Sequence, residues 1–187
     1  SKKLLTQAKN AYDEAYQFLS SDDDLIDMYH YCLASYYVRI GDIPNSIFHC
    51  EKAISLFTKS QNFRRLTNSN IIVGNQYLKL KNYANAYKIF NNTLVITEQN
   101  NFLYEKRICL NNIAFIHMME NSYEKAIQYI TQIPTQLLTE TDFYSYALCL
   151  TQINDIEKGL EISSKGKDVT TTPYYKYIFK ACNQYFS

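Results

Sequence analysis

Residues 74–86 read Gly74-Asn75-Gln76-Tyr77-Leu78-Lys79-Leu80-Lys81-Asn82-Tyr83-Ala84-Asn85-Ala86, and altered copies of this stretch recur along the chain. Its small first residue has counterparts at Ala34 and Ala114, one equal step before it and one after it. Its small last residue, Ala86, stands to Gly74 as Ser46 stands to Ala34 and Ala126 to Ala114. Three positions before each of these comes a large apolar residue: Ile43, Tyr83 and Tyr123. Rings at Tyr37, Tyr77 and His117 keep the same phase. A fixed period of about 40 residues marks stacked supersecondary units, each unable to bury its apolar face alone.

Outward from the repeat, each unit reads as two antiparallel helices. Leu25, Met28, Tyr29, Leu33, Tyr36, Tyr37 and Ile40 recur at helical spacing. Gly41 ends that helix, where a left-handed residue carries no Cβ penalty. Asp42 then caps the next helix, with Pro44 in its first turn, where a missing N–H does no harm. The second unit turns at Lys81-Asn82 and the third at Glu120-Asn121-Ser122; Pro134 closes the third early. A fourth, degenerate unit carries Ala147, Ile156 and Gly159 at the matching places, and Thr172 with Pro173 opens a last helix. The expected organisation is one domain over 1–187: a partial unit 1–21, then 22–61, 62–101, 102–134 and 135–168, with a capping helix 171–187. Tyr12 and Ala15 match the second helix of a unit whose first helix is missing, so we expect the chain to be cut from a longer protein.

The composition agrees with an all-α solenoid. The 187 residues include 4 Gly and 3 Pro, too few for a turn-rich β protein, while 47% are hydrophobic, enough for a folded body. A net charge of +1 gives no basic excess for a phosphate backbone. No apolar run reaches membrane-spanning length and no secretory signal opens the chain. Cys32, Cys50, Cys109, Cys149 and Cys182 form no CxxC pair and read as reduced, mostly buried thiols of a cytoplasmic protein. Neither a metal site nor a cofactor is expected.

The small–aromatic–small spacing, best seen in Leu33-Ala34…Tyr37…Gly41-Asp42-Ile43…Ser46…Ala53 and Gly74…Tyr77…Asn82-Tyr83…Ala86…Phe90, resembles the tetratricopeptide repeat (TPR). The resemblance implies a right-handed superhelix of helical hairpins. The basic unit of that repeat has about 34 residues; the period here is longer, so both helices of each unit are longer too. Long units of this kind, in a chain rich in Tyr, Asn and Lys, look like the peptide-responsive regulators of Gram-positive bacteria: the Rap, Npr, Plc and Prg families (RNPP) and the related Rgg proteins. The opening segment Ala8-Lys9-Asn10-Ala11-Tyr12-Asp13-Glu14-Ala15-Tyr16 is most similar to the Plc-type members. In that family a helix-turn-helix domain precedes the repeats, and a signalling peptide binds the concave face. The resemblance implies a homodimer that reaches DNA only through such an absent domain.

No enzyme constellation stands out. His30, His49 and His117 lie in apolar helical runs and read as core or groove residues. Asp22-Asp23-Asp24 suits a helix start, where negative charge favours the macrodipole, and Arg64-Arg65 reads as an exposed, solvated pair. The better candidate is the face formed by first-helix residues just outside the small–aromatic core: Met28, Tyr31, Ser35, Val38 and Arg39 in the first unit, Asn68, Ile71, Asn75, Leu78 and Lys79 in the second, Ile108, Asn111, Phe115, Met118 and Met119 in the third, and Tyr144, Leu148 and Gln152 in the fourth. Asn amides can bond both the N–H and C=O of an extended peptide without reading its sequence. Aromatic and Met side chains add adaptable apolar pockets, and Arg39 or Lys79 can meet a carboxylate. By the resemblance, Asn75 and Asn111 clamp the peptide backbone.

The expected function is therefore the peptide-binding, dimerising domain of a cytoplasmic transcription regulator, without catalysis and without membrane contact. The alternatives are a general protein–protein scaffold and a Rap-like response-regulator phosphatase lacking its N-terminal bundle.

Overall fold

A computed structural model describes residues 2–19, 25–170 and 173. The acidic run 22–24, Cys182 and, apart from Pro173, the capping helix expected over 171–187, with its Tyr175, Tyr177, Phe179 and Phe186, lie outside the described residues. Every regular element among the described residues is helical. In chain order they are α1 (Lys2–Tyr16), α2 (Ile26–Ile40), α3 (Ile43–Lys59), α4 (Phe63–Lys79), α5 (Tyr83–Gln99), α6 (Leu103–Met119), α7 (Tyr123–Ile130), α8 (Glu140–Gln152) and α9 (Ile156–Val169). A 3-10 turn, Thr135–Leu137, follows Pro134. The chain forms two compact bodies, Ser1–Glu105 and Lys106–Ser187.

One turn is used again and again. Gly41, Gln61, Lys81, Asn101 and Asn121 all have positive φ, evenly spaced along the chain at two per repeat, and Asn154 repeats the conformation before α9. The residue after each donates its N–H to the carbonyl five positions back: Asp42 to Tyr37, Asn62 to Phe57, Asn82 to Tyr77, Phe102 to Thr97, Ser122 to His117 and Asp155 to Leu150. This satisfies carbonyls that the helix end leaves without partners. Asp42, Asn62, Asn82 and Asp155 then cap the next helix, each side chain accepting the N–H three residues on. Turns within hairpins and turns between them thus share one design.

The small residues set the packing inside the bodies. Ala34, Ser46, Ala53 and Ala86 in the first body and Ala114 and Ala126 in the second are fully buried or nearly so. Gly74 shows why the position must be small: a Cβ there would lie 2.6 Å from Cζ of Phe90, a ring with no exposed surface. Around them, Ala34, Cys50 and Val73 pack with Tyr77 and Ile89, and Ala53, Phe57 and Leu66 with Met28 and Tyr31. In the second body Ala114, Met118, Ala126, Ile130 and Cys149 form one cluster and Phe143, Ala147, Leu150 and Ile162 another. Gly159 stands to Ala147 as Ala126 stands to Ala114, and a Cβ on it would lie 2.9 Å from Cγ2 of Thr151. The degenerate fourth hairpin therefore closes by the same kind of contact as the others.

Cys50, Cys109 and Cys149 are buried free thiols, and Cys32 is half-buried. Burial pushes the Cys50 thiol up to about 12 and that of Cys149 to about 11, so neither forms a thiolate at neutral pH.

Two substitutions test this account by chemical denaturation. Lys81→Gly removes a Cβ from a left-handed turn residue and should raise stability by about 0.5–1 kcal/mol, the steric relief exceeding the added freedom of the unfolded chain. Gly74→Ala gains helix propensity of about 1 kcal/mol but drives a methyl into Phe90; a net loss of about 1–3 kcal/mol is expected, partly recovered in Gly74→Ala/Phe90→Leu.

Candidate functional site

In the first body the candidate face lies on α2 and α4. Tyr31 sets its ring edge against Phe57, at 6.2 Å between centroids. The Arg65 guanidinium lies 5.2 Å from the centre of the Tyr31 ring, which ties α4 to α2. Ser35 donates its hydroxyl to the Tyr31 carbonyl and so is engaged with its own helix. Lys79 donates to Gln76 Oε1 at 3.3 Å, and Arg39 is exposed at the end of α2. Asn68 and Asn75 are half-buried and two turns apart on one face of α4. Among the described residues nothing bonds either amide, and neither belongs to the buried unpartnered atoms. Both therefore reach the surface with donor and acceptor open.

In the second body Asn111 and Phe115 lie on α6. Asn111 differs from the other two: its Nδ2 donates to Asp142 Oδ1. Phe115 is 38% exposed. Met118 corrects the sequence-based expectation. It is 8% exposed and packs with Ala114, Ala126, Ile130 and Cys149, so its side chain belongs to the core. A residue four after Ala114 comes back to nearly the same side of the helix, and Ala114 faces inward. Met119, expected on the same face, is 45% exposed and lies four after Phe115.

Sequence reasoning missed the buried charges. Asp142, with no exposed surface, accepts from Arg107 Nη1 at 3.0 Å, from the Thr139 backbone N–H at 2.7 Å and from the Thr139 hydroxyl at 2.6 Å. The signal was the capping-box spacing Thr139-x-x-Asp142 ahead of an apolar run. Of the pair expected to be exposed and solvated, Arg64 is exposed and Arg65 half-buried, and both are engaged. Arg64 bonds the buried Glu105 at 2.7 Å and covers the Phe102 ring at 4.2 Å, while Arg65 covers Tyr31. Neither is a plain solvated charge.

The histidines pack inside hairpins. His49 stacks on Tyr37 and His117 on Tyr129, both with centroids 5.4 Å apart. The same two residue types thus occupy equivalent places with their order exchanged. His30 and His49 face each other with Nδ1 atoms 2.9 Å apart, so one donates and the other accepts. Burial, then the charges of His30 and Lys9, holds His49 down at about 4. Burial, then Lys52, lowers His30. A cavity of about 320 Å³ borders His30, walled by Tyr16, Ile26 and Leu56, and so lies on α1–α3 rather than on the α2–α4 face. Among the described residues no group of three His, Cys, Asp or Glu is placed to hold a metal ion. None of their helices is long and apolar enough to cross a membrane.

The sequence profile of the soluble NSF attachment protein family, SNAP, matches residues 2–144. The chain belongs to that family. No curated protein sequence matches this SNAP-family chain, but solved structures match its fold. RapI in its apo form superposes with a TM-score of 0.87 at 19% identity, covering 99% of this chain and 55% of RapI. Aspartyl phosphate phosphatase F from Bacillus subtilis gives 0.83 at 18% identity, covering 99% of this chain and 53% of that one. The Rap conjugation gene regulator of the plasmid pLS20, in complex with the Phr* peptide, gives 0.73 at 14% identity, covering 96% and 51%. The SNAP-family chain thus spans about half the length of these proteins. At such identities the likeness establishes the fold: all-helical and TPR-like.

The histidine geometry predicts a pH dependence. His49 is neutral in the fold but takes up a proton on unfolding below its ordinary value of about 6.5. Its contribution is therefore complete above that pH and is lost as the pH falls toward about 4. Urea midpoints measured from pH 7.5 to 4.5 should decline less steeply in His49→Phe than in the parent chain.

Proposed function

We propose that this chain is the peptide-binding repeat region of a bacterial regulator, holding an extended signalling peptide on the open face of its first helices. The observation that carries this reading is the pair of surface-reaching, unbonded amides of Asn68 and Asn75 on one face of α4. A planar amide with both ends open is suited to pair with a peptide backbone. The TPR-like fold shared with the pLS20 Rap regulator, which was solved with a peptide bound, supports the same reading. Arg65, held over the Tyr31 ring of the neighbouring helix, with Arg39 and Lys79 at the helix ends, supplies positive charge for a ligand carboxylate.

The finer assignment belongs to the same proposal. The protein is a cytoplasmic transcription regulator of the RNPP type, Plc-like in its opening helix, acting as a homodimer and meeting DNA through a helix-turn-helix domain. Peptide binding shifts the balance between two packings of the protomers by differential affinity. A second reading is favoured by the likeness to aspartyl phosphate phosphatase F: the repeat region of a response-regulator phosphatase. Dephosphorylation of a phosphorylated response regulator by the longer protein would single it out. A general protein–protein scaffold predicts a folded protein target and no short peptide ligand.

Affinity selection of the chain against a pool of random synthetic hexapeptides, followed by calorimetry on the enriched sequence, tests the leading reading. Asn75→Ala should weaken the selected peptide by about 1–3 kcal/mol, or roughly 5- to 150-fold. Unchanged affinity with an intact fold removes Asn75 from the site.

A further inference from the structure

Asp142 does more than cap α8. Its Oδ2 collects Arg107, the Thr139 N–H and the Thr139 hydroxyl, and its Oδ1 is left to Asn111 Nδ2. A carboxylate only accepts, so the contact fixes which end of the Asn111 amide points inward. The nitrogen faces Asp142 and the carbonyl faces away. Asn111 Oδ1 accepts no bond among the described residues and does not belong to the buried unpartnered atoms, so it reaches the surface. Four and eight positions on, Phe115 and Met119 continue the same face of α6 as an exposed apolar stripe.

We infer that Asp142 is a positioning residue that turns the Asn111 carbonyl toward ligand, so that this face accepts a backbone N–H of an extended peptide beside an apolar side chain lodged on Phe115 and Met119. The inference rests on the peptide-binding reading above and sharpens it. Asn75 offers both a donor and an acceptor, whereas Asn111 is locked to present its acceptor. Arg107 is paired with Asp142, which keeps the patch from favouring acidic side chains. The ligand class is therefore a peptide with a free backbone N–H at an apolar residue.

The isosteric change Asp142→Asn tests the lock. Arg107 and Thr139 both donate toward Oδ2, so they hold the carbonyl of an asparagine at that place and turn its NH2 toward Asn111. Two NH2 groups cannot pair, and the Asn111 amide flips. On the whole 15N-labelled chain, the Asn111 side-chain NH2 should show one hydrogen-bonded, exchange-protected proton, lost in Asp142→Asn. Asp142→Asn/Arg107→Gln gives the same readout without a buried unpaired guanidinium, should the single variant lose its fold. An Asn111 resonance unmoved in both variants overturns the lock, whatever binds.

The ligand arm uses a hexapeptide selected in the same way on the Asn68→Ala/Asn75→Ala chain, so that it reports on the second body alone. Asp142→Asn should weaken it at least tenfold in the parent chain and leave it unchanged in an Asn111→Ala background. N-methylation of one backbone nitrogen at an apolar residue of the peptide should cost the parent chain a similar factor and Asn111→Ala nothing. Additive losses from Asp142→Asn and Asn111→Ala mean that Asp142 acts only through stability, which overturns the inference. Failure to select any hexapeptide overturns the peptide-binding reading, and the ligand half of this inference with it; the NH2 resonance still decides the lock on its own.

Discussion

The close approach of two helices at paired small residues is the contact on which the rest of the structure depends. In the α4–α5 hairpin Gly74 lies beneath the Phe90 ring with no room for a methyl group, and in α8–α9 Gly159 does the same against Thr151. Once the backbones are that close, the neighbouring positions have no freedom of role. The next ring position, Tyr37 or His117, must lie flat against its partner helix, and it does so by stacking on His49 or Tyr129. Residues one place after the small position, Ser35, Asn75 and Phe115, turn toward the surface, while Leu33, Val73 and Ile113, one place before it, are buried.

The left-handed turn makes this contact repeat. One αL residue followed by an N–H to the carbonyl five positions back reverses the chain in the same way at each step. Among these turns Gly41 adopts the conformation without strain; Gln61 and Lys81 adopt it with a Cβ, at a cost of about 1–2 kcal/mol each by the usual sterics. The satisfied helix ends and Asx caps offset that cost. A regular turn is what allows residues one period apart to occupy equivalent places, and so allows a face to be named from the period at all.

Buried carboxylates stand near the starts of two first helices, Glu105 on α6 and Asp142 on α8. The third hairpin is shortened at α7, and beyond it α8 starts with a buried carboxylate rather than an apolar residue. Asp142 is bearable at that depth because Arg107, Asn111 and both the N–H and hydroxyl of Thr139 bond it. Glu105 is buried likewise with Arg64 as its partner. These groups fix orientation more than they add stability, since burying an ion pair brings little net gain. At Asn111 the orientation fixed is that of a surface amide.

The sequence by itself determined the helices, their turns and the small positions, because these follow from local rules: helical periodicity, capping residues and the regular recurrence of one motif. It named Asn68, Asn75, Asn111 and Phe115 by phase alone. Phase could not separate Met118 from Met119, because neighbouring positions differ by one step of rotation and only packing decides which faces Ala114 and which faces out. Nor could it show that Asn111 is bonded where Asn75 is open, or that Arg64 covers a ring and neutralises Glu105. Those pairs join residues 31 and 41 positions apart, and no local rule links them. Only the tertiary structure, by bringing successive first helices together within each body, decided which polar groups are engaged and which remain free to meet a ligand.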